Sequence, residues 1–195
     1  MGACALFLFV AESNAKVIVK ESTVYYSFSG RTGIQVYEQI GRKGPRVSGH
    51  KDRKVAITTM QIKLKDLQAA AKGNQCVVTR VDLQLNVTYR IPKWTNRNAG
   101  SPATRKAWDT FLAHIWRHEK QHAEIARDHA VQAERAVMAA RGDIRKGCKD
   151  MEGSLVRALE KAKARHDRRQ LAFDASWFGD GGKQWKHDRA LVAAK

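Results

Sequence analysis

At Pro92-Lys93-Trp94 the hydrophobic period of the sequence changes from two to three and four, and this switch limits the fold more than any other feature. Before it, Val81, Leu83, Leu85, Val87, Tyr89 and Ile91 alternate with Asp82, Gln84, Asn86, Thr88 and Arg90. Successive side chains of a strand point to opposite faces, so residues 81–91 are expected to form a strand with one buried and one wet face, in an antiparallel sheet. Earlier segments read the same way. Val17-Ile18-Val19 and Val24 to Phe28 are β-branched and aromatic, and Ala56, Thr58, Met60, Ile62 and Leu64 share one face of residues 55–64. A short helix is expected over residues 34–40, stopped by the cluster of Gly41, Gly44, Pro45 and Gly49.

After the switch, Ser101-Pro102 is a strong helix start. The Ser hydroxyl can cap free backbone N–H groups, and Pro in the first turn gives up none that were needed. Trp108, Phe111, Leu112, Ile115, Ile125, Ala133 and Val137 then recur at helical spacing, which predicts a helix over residues 102–141 with Gly142 as its stop. A second helix, from near Ser154, carries Leu155, Leu159, Ala162, His166 and Phe173 on one stripe and ends before Gly179 to Gly182. The two helices should pair as an antiparallel hairpin whose apolar face covers the sheet.

The first fifteen residues, MGACALFLFVAESNA, hold an apolar stretch from Ala3 to Ala11, with small residues at Ser13 and Ala15 in the positions of a cleavage site. They read as a secretory signal peptide, the alternative being a buried N-terminal strand. Loss of residues 1–15 would remove Cys4 and leave Cys76 and Cys148, an even number in an oxidising compartment. One disulfide between them is expected, and two buried free thiols are the other possibility. No apolar run reaches the roughly 18 residues of a membrane span.

The chain has 195 residues, 43% of them hydrophobic, and only three Pro, which suits an ordinary folded domain rather than a disordered one. Its net charge is +17, distributed as +12 over residues 16–105, zero over 106–140 and +6 over 141–195. The excess is dispersed, and Trp94, Trp108, Trp116, Trp177 and Trp185 are scattered, which argues against specific nucleic-acid binding. Attraction to acidic partners, such as anionic cell-envelope components, fits better.

The neutral segment contains His118-Glu119-Lys120-Gln121-His122, an HExxH motif on the long helix. Two His four residues apart project from one side of a helix, so both imidazoles can reach one Zn²⁺. Glu119 stands beside them as a general base for a water that the metal activates. The expected fold is therefore α+β and zincin-like, with one domain over residues 16–195. Residues 16–94 would be mainly strands, packed against the HExxH helix and the second antiparallel helix of residues 101–178.

A catalytic zinc needs a third protein ligand and an open fourth position. His129 lies roughly 10 Å along the axis from His122, too far for the same metal, and His114 fails in the same way. Asp128 stands where metzincins place a third ligand, but Ile125 replaces the Gly that would turn the chain back. Counting back from the helix–helix turn puts Asp174 at the level of His122 and His166 beside His129. Asp174 is the preferred third ligand and His166 the alternative.

The order of motifs resembles a family of bacterial proteins described as predicted secreted zinc-dependent proteases, a domain of unknown function with an HExxH helix. The likeness runs from Tyr25-Tyr26-Ser27-Phe28-Ser29-Gly30 through Gly44-Pro45, Cys76, Ile91-Pro92-Lys93-Trp94 and the His118 to His122 motif to Cys148. The resemblance implies export, zinc and peptidase activity. Near the C-terminus the family's pattern is a Tyr-Asp pair followed by Thr and His-Gly. Here Phe173-Asp174 stands for the pair, and Trp177-Phe178-Gly179 lacks the His. The expected function is that of a secreted or periplasmic zinc hydrolase acting on peptides or proteins. The competing expectation is a non-catalytic envelope protein with a structural or vestigial metal site and a basic surface for acidic partners.

Overall fold

The computed structural model describes residues 14–47, 51–178 and 183–195. Residues 1–13 of the expected signal peptide, Gly49 of the expected break and Gly179 to Gly182 of the expected helix end lie outside them. The fold is mixed α+β. Strand β1 (Asn14–Phe28) is followed by helix α1 (Gly33–Lys43), strand β2 (Ile57–Lys72) and strand β3 (Gln75–Trp94). Then come helix α2 (Pro102–Met138), a short strand β4 (Arg141–Asp143), helix α3 (Met151–Phe178) and helix α4 (Lys183–Ala193).

Strand β3 is the centre of the sheet, with the order β1-β3-β2 and β4 paired to its first residues. Its alternation works as expected. Val81, Leu83, Leu85, Val87, Tyr89 and Ile91 are buried, while the residues between them are partly or fully exposed. The expectation of an antiparallel sheet is corrected by β1, which runs parallel to β3 in a register from Asn14↔Arg80 to Phe28↔Trp94. The cause is connectivity. Helix α1 and the loop after it return the chain to β2 at the end of the sheet where β1 finished, the turn at Gly73 sends β3 back, and β3 then lies between the two. Alternation reports which face is buried and is silent on direction.

Helix α2 spans 37 residues and starts as its cap residues dictate: the Ser101 hydroxyl accepts the Thr104 N–H at 3.0 Å, with Pro102 in the first turn. It ends at Met138, three residues earlier than expected, because Gly142 belongs to β4 opposite Cys76. A Cβ at Gly142 would stand 2.9 Å from the Met151 Cβ, so the position is closed to larger residues. Trp108, Phe111 and Ile115 of α2 pack with Leu85, Val87, Tyr89 and Ile91 of β3 and with Val36 and Ile40 of α1. Ala123, Ala126, Ala130 and Ala133 continue the buried stripe and let α2 lie close to its neighbours. Helix α3 pairs with α2, and the exposed Arg169–Asp128 contact at 2.9 Å and Arg165–Gln132 contact at 3.1 Å join their outer sides. Among the described residues no helix is long and apolar enough to cross a membrane.

Cys76 and Cys148 form a disulfide that ties the start of β3 to the α2–α3 connection. Its ends are 72 residues apart, and closing a loop of that length stabilises the folded chain by about 4–5 kcal/mol in the chain-entropy model. Denaturant titration of a Cys76→Ser, Cys148→Ser variant should show a loss of that order against the oxidised wild type. An unchanged midpoint would show that the bridge contributes nothing.

Candidate metal centre

The structure brings His118, His122 and Asp174 together. Both histidines point from one face of α2, one turn apart, and Asp174 approaches from the last turns of α3. Nε2 of His118 and Nε2 of His122 are 3.0 Å apart, and Oδ1 of Asp174 lies 3.3 Å from the first and 3.1 Å from the second. The three atoms make a nearly equilateral triangle. Ligand atoms about 2.0–2.1 Å from a tetrahedral centre are about 3.3–3.4 Å apart, so the triangle is only slightly tighter than one face of such a site. Asp174 Oδ1 is buried and satisfies hydrogen-bond geometry with neither imidazole, although its side chain as a whole is 45% exposed. Among the described residues this is the one group of three or more His, Cys, Asp or Glu side chains whose ligand atoms converge within 4.8 Å. Two imidazoles and a carboxylate are a donor set that suits zinc.

Each member is held differently. The His118 ring, 5% exposed, lies among aromatic rings, with Phe173 stacked at 4.9 Å and Trp177 and Phe178 at 5.0 and 5.1 Å between centroids. His122 is held by hydrogen bonding, its Nδ1 meeting Oε1 of Gln170 on α3. Burial alone would push the Asp174 carboxyl up, but the two imidazoles outweigh it and hold the carboxyl well below the usual carboxylate range. For His122 burial, the largest influence, lowers the pKa, yet the adjacent Asp174 carboxylate, the contact with Gln170 and the charge of Glu119 raise it overall.

Glu119 is 3% exposed. Thr58 of β2 reaches across from the sheet, its hydroxyl 2.7 Å from Oε2 of Glu119 and 3.1 Å from the Glu119 backbone oxygen. Burial raises the Glu119 pKa, and the Thr58 hydroxyl and the two imidazoles only partly offset it. A carboxyl raised in this way holds a proton more readily than a free one, which suits a group that takes and returns protons.

His166, the alternative third ligand, is not at the triangle; it lies beside His129, ring centroids 4.6 Å apart. His114 is also away from it, stacked on Trp177 at 4.5 Å and beside His187 at 4.0 Å. Asp128 pairs with Arg169. Thr58 and Gln170 were not anticipated. Thr58 had a signal, since it falls on the inward face of its strand. So had Gln170, midway between His166 and Asp174 at four-residue steps on one side of α3.

A bacterial family model matches residues 23–181, which include the whole triangle and both bridged cysteines. The chain belongs to this family, DUF922, bacterial proteins of unknown function. Among curated proteins and among solved structures, none matches it.

Further along α2 a cavity of about 570 Å³ lies between β2, α2 and α3, lined by Met60, Ile62, Leu64, Ala133, Leu155 and Leu159 with His129 and His166 at its polar side. Its lining does not include the triangle. Burial, reinforced by the charge of His166, lowers the His129 pKa. A base whose folded pKa is depressed contributes stability that is present above its unfolded value of about 6.5 and is lost as pH falls through the folded value. Thermal melts should therefore fall less steeply below about pH 6.5 in His129→Leu than in wild type. Parallel pH profiles would contradict the assignment.

Proposed function

We propose that this DUF922 chain is an exported, zincin-like zinc hydrolase, and specifically a peptidase. The near-equilateral triangle of His118 Nε2, His122 Nε2 and Asp174 Oδ1 carries the reading. Zinc bound there would supply a Lewis acid that polarises a scissile carbonyl and acidifies water.

The chain's own groups then have distinct tasks. His118 and His122 present imidazole nitrogens on one helical face, and Asp174 adds a negative charge that would offset half of a dication's. Glu119 takes a proton from the attacking water and hands it to the leaving amine. Thr58 aims the Glu119 carboxylate by donating its hydroxyl to Oε2. The catalytic reading is preferred to a purely structural one because a structural zinc is closed by four protein ligands, whereas among the described residues the group offers three.

Export is supported by the Cys76–Cys148 bridge, since disulfides persist mainly in oxidising compartments. The +17 charge favours acidic cell-envelope surroundings. Glu119→Gln should keep zinc and lose about 10²–10⁴-fold in turnover of a mixed peptide library. His118→Ala should lose the metal itself. A Glu119→Gln protein that cleaves as fast as wild type would overturn the mechanism.

A further inference from the structure

Gln170 of α3 bonds to one member of each histidine pair, to His122 of the His118–His122 pair at the triangle and to His166 of the His129–His166 pair beside the cavity. Its amide makes three polar contacts. The nitrogen lies 3.2 Å from the backbone oxygen of His122 and 2.9 Å from Nε2 of His166, and Oε1 meets Nδ1 of His122.

The backbone carbonyl settles which end of the amide is which. A carbonyl oxygen only accepts hydrogen bonds, so the amide atom facing it must be the nitrogen and not the oxygen. The amide oxygen must then face His122 Nδ1, and as an acceptor it requires a proton there. A neutral imidazole with its proton on Nδ1 has a lone pair on Nε2. The second amide N–H likewise requires His166 Nε2 to be the acceptor, which puts the His166 proton on Nδ1, where Asp167 Oδ1 waits at 3.1 Å. One carbonyl that cannot change its character thus dictates the tautomers of two histidines.

We infer that Gln170 is a positioning residue: it locks His122 in the Nδ1–H tautomer and aims the Nε2 lone pair into the triangle. Its value to metal binding rests on the proposed zinc site, whereas the tautomer does not. His118 has no such anchor, since its Nδ1 has no hydrogen-bond partner among the described residues, and the rings of Phe173, Trp177 and Phe178 hold it instead. The two histidines of one motif are therefore oriented by different physics. Gln170 touches only Nδ1 and the backbone oxygen of His122, on the side of the ring away from the triangle, so it would orient a ligand without becoming one.

Two readouts test this. The first is the long-range ¹H–¹⁵N spectrum of the metal-free, disulfide-intact protein, well above the ordinary imidazole pKa of about 6.5. It should show His122 protonated on Nδ1 in wild type and a mixture of tautomers in Gln170→Leu. The second is zinc affinity by competition with a chelating dye: Gln170→Leu should bind about 10–100-fold more weakly than wild type. Gln170→Glu keeps an acceptor against Nδ1 and should recover part of that loss. A wild-type His122 protonated on Nε2 would overturn the inference, and so would an unchanged zinc affinity in Gln170→Leu. If wild type bound no zinc, the hydrolase reading would fail, while the spectrum would still decide the tautomer.

Discussion

The packing of α2 against β3 is the constraint on which the other features depend, because neither element can bury its apolar face without the other. The inward residues of β3 from Val81 to Ile91 are nearly all inaccessible, and Phe111 and Ile115 fill the space above them. This contact sets the rotation of α2 about its axis. His118 and Glu119 follow Ile115 at helical spacing, so the rotation that buries Phe111 also turns the motif into the interior, where Glu119 meets Thr58 of the sheet. The site is thus a by-product of the core stripe, continued by polar residues.

Burying those polar residues costs stability unless each finds a partner. Thr58 serves Glu119, and helix α3 supplies the neighbours of the two histidines. Asp174 faces both Nε2 atoms, Gln170 holds His122 from behind, and Phe173 and Trp177 wall off His118. The disulfide acts at the far end of the same hairpin, tying its connection to the first residues of β3. Fold and site are therefore coupled through α3, whose described contacts are mainly with α2 rather than with the sheet.

Much of this was legible in the residue pattern because short-range physics fixed it. The alternation around Leu85, the Ser101-Pro102 cap and the level of Asp174 opposite His122 follow from periods and turn positions alone. Strand direction did not. The parallel pairing of β1 with β3 depends on how a distant loop returns the chain, and side-chain alternation carries no trace of it. β4 was missed because three residues hold too little pattern, and α4 because Gly179 to Gly182 read as an end rather than a pause. Gln170 escaped because a neutral amide on a helix is usually solvated, and its role exists only once α2 lies beside it.

In the proposed hydrolase two imidazoles and one carboxylate converge to hold a single zinc ion. X-ray absorption at the zinc edge of reconstituted, disulfide-intact protein reads that shell directly. The expected result is one zinc per chain with nitrogen and oxygen neighbours at about 2.0–2.1 Å, two of them imidazole, and loss of one light neighbour in Asp174→Ala. A chain that retains no zinc after dialysis, or a shell dominated by sulfur, would contradict it.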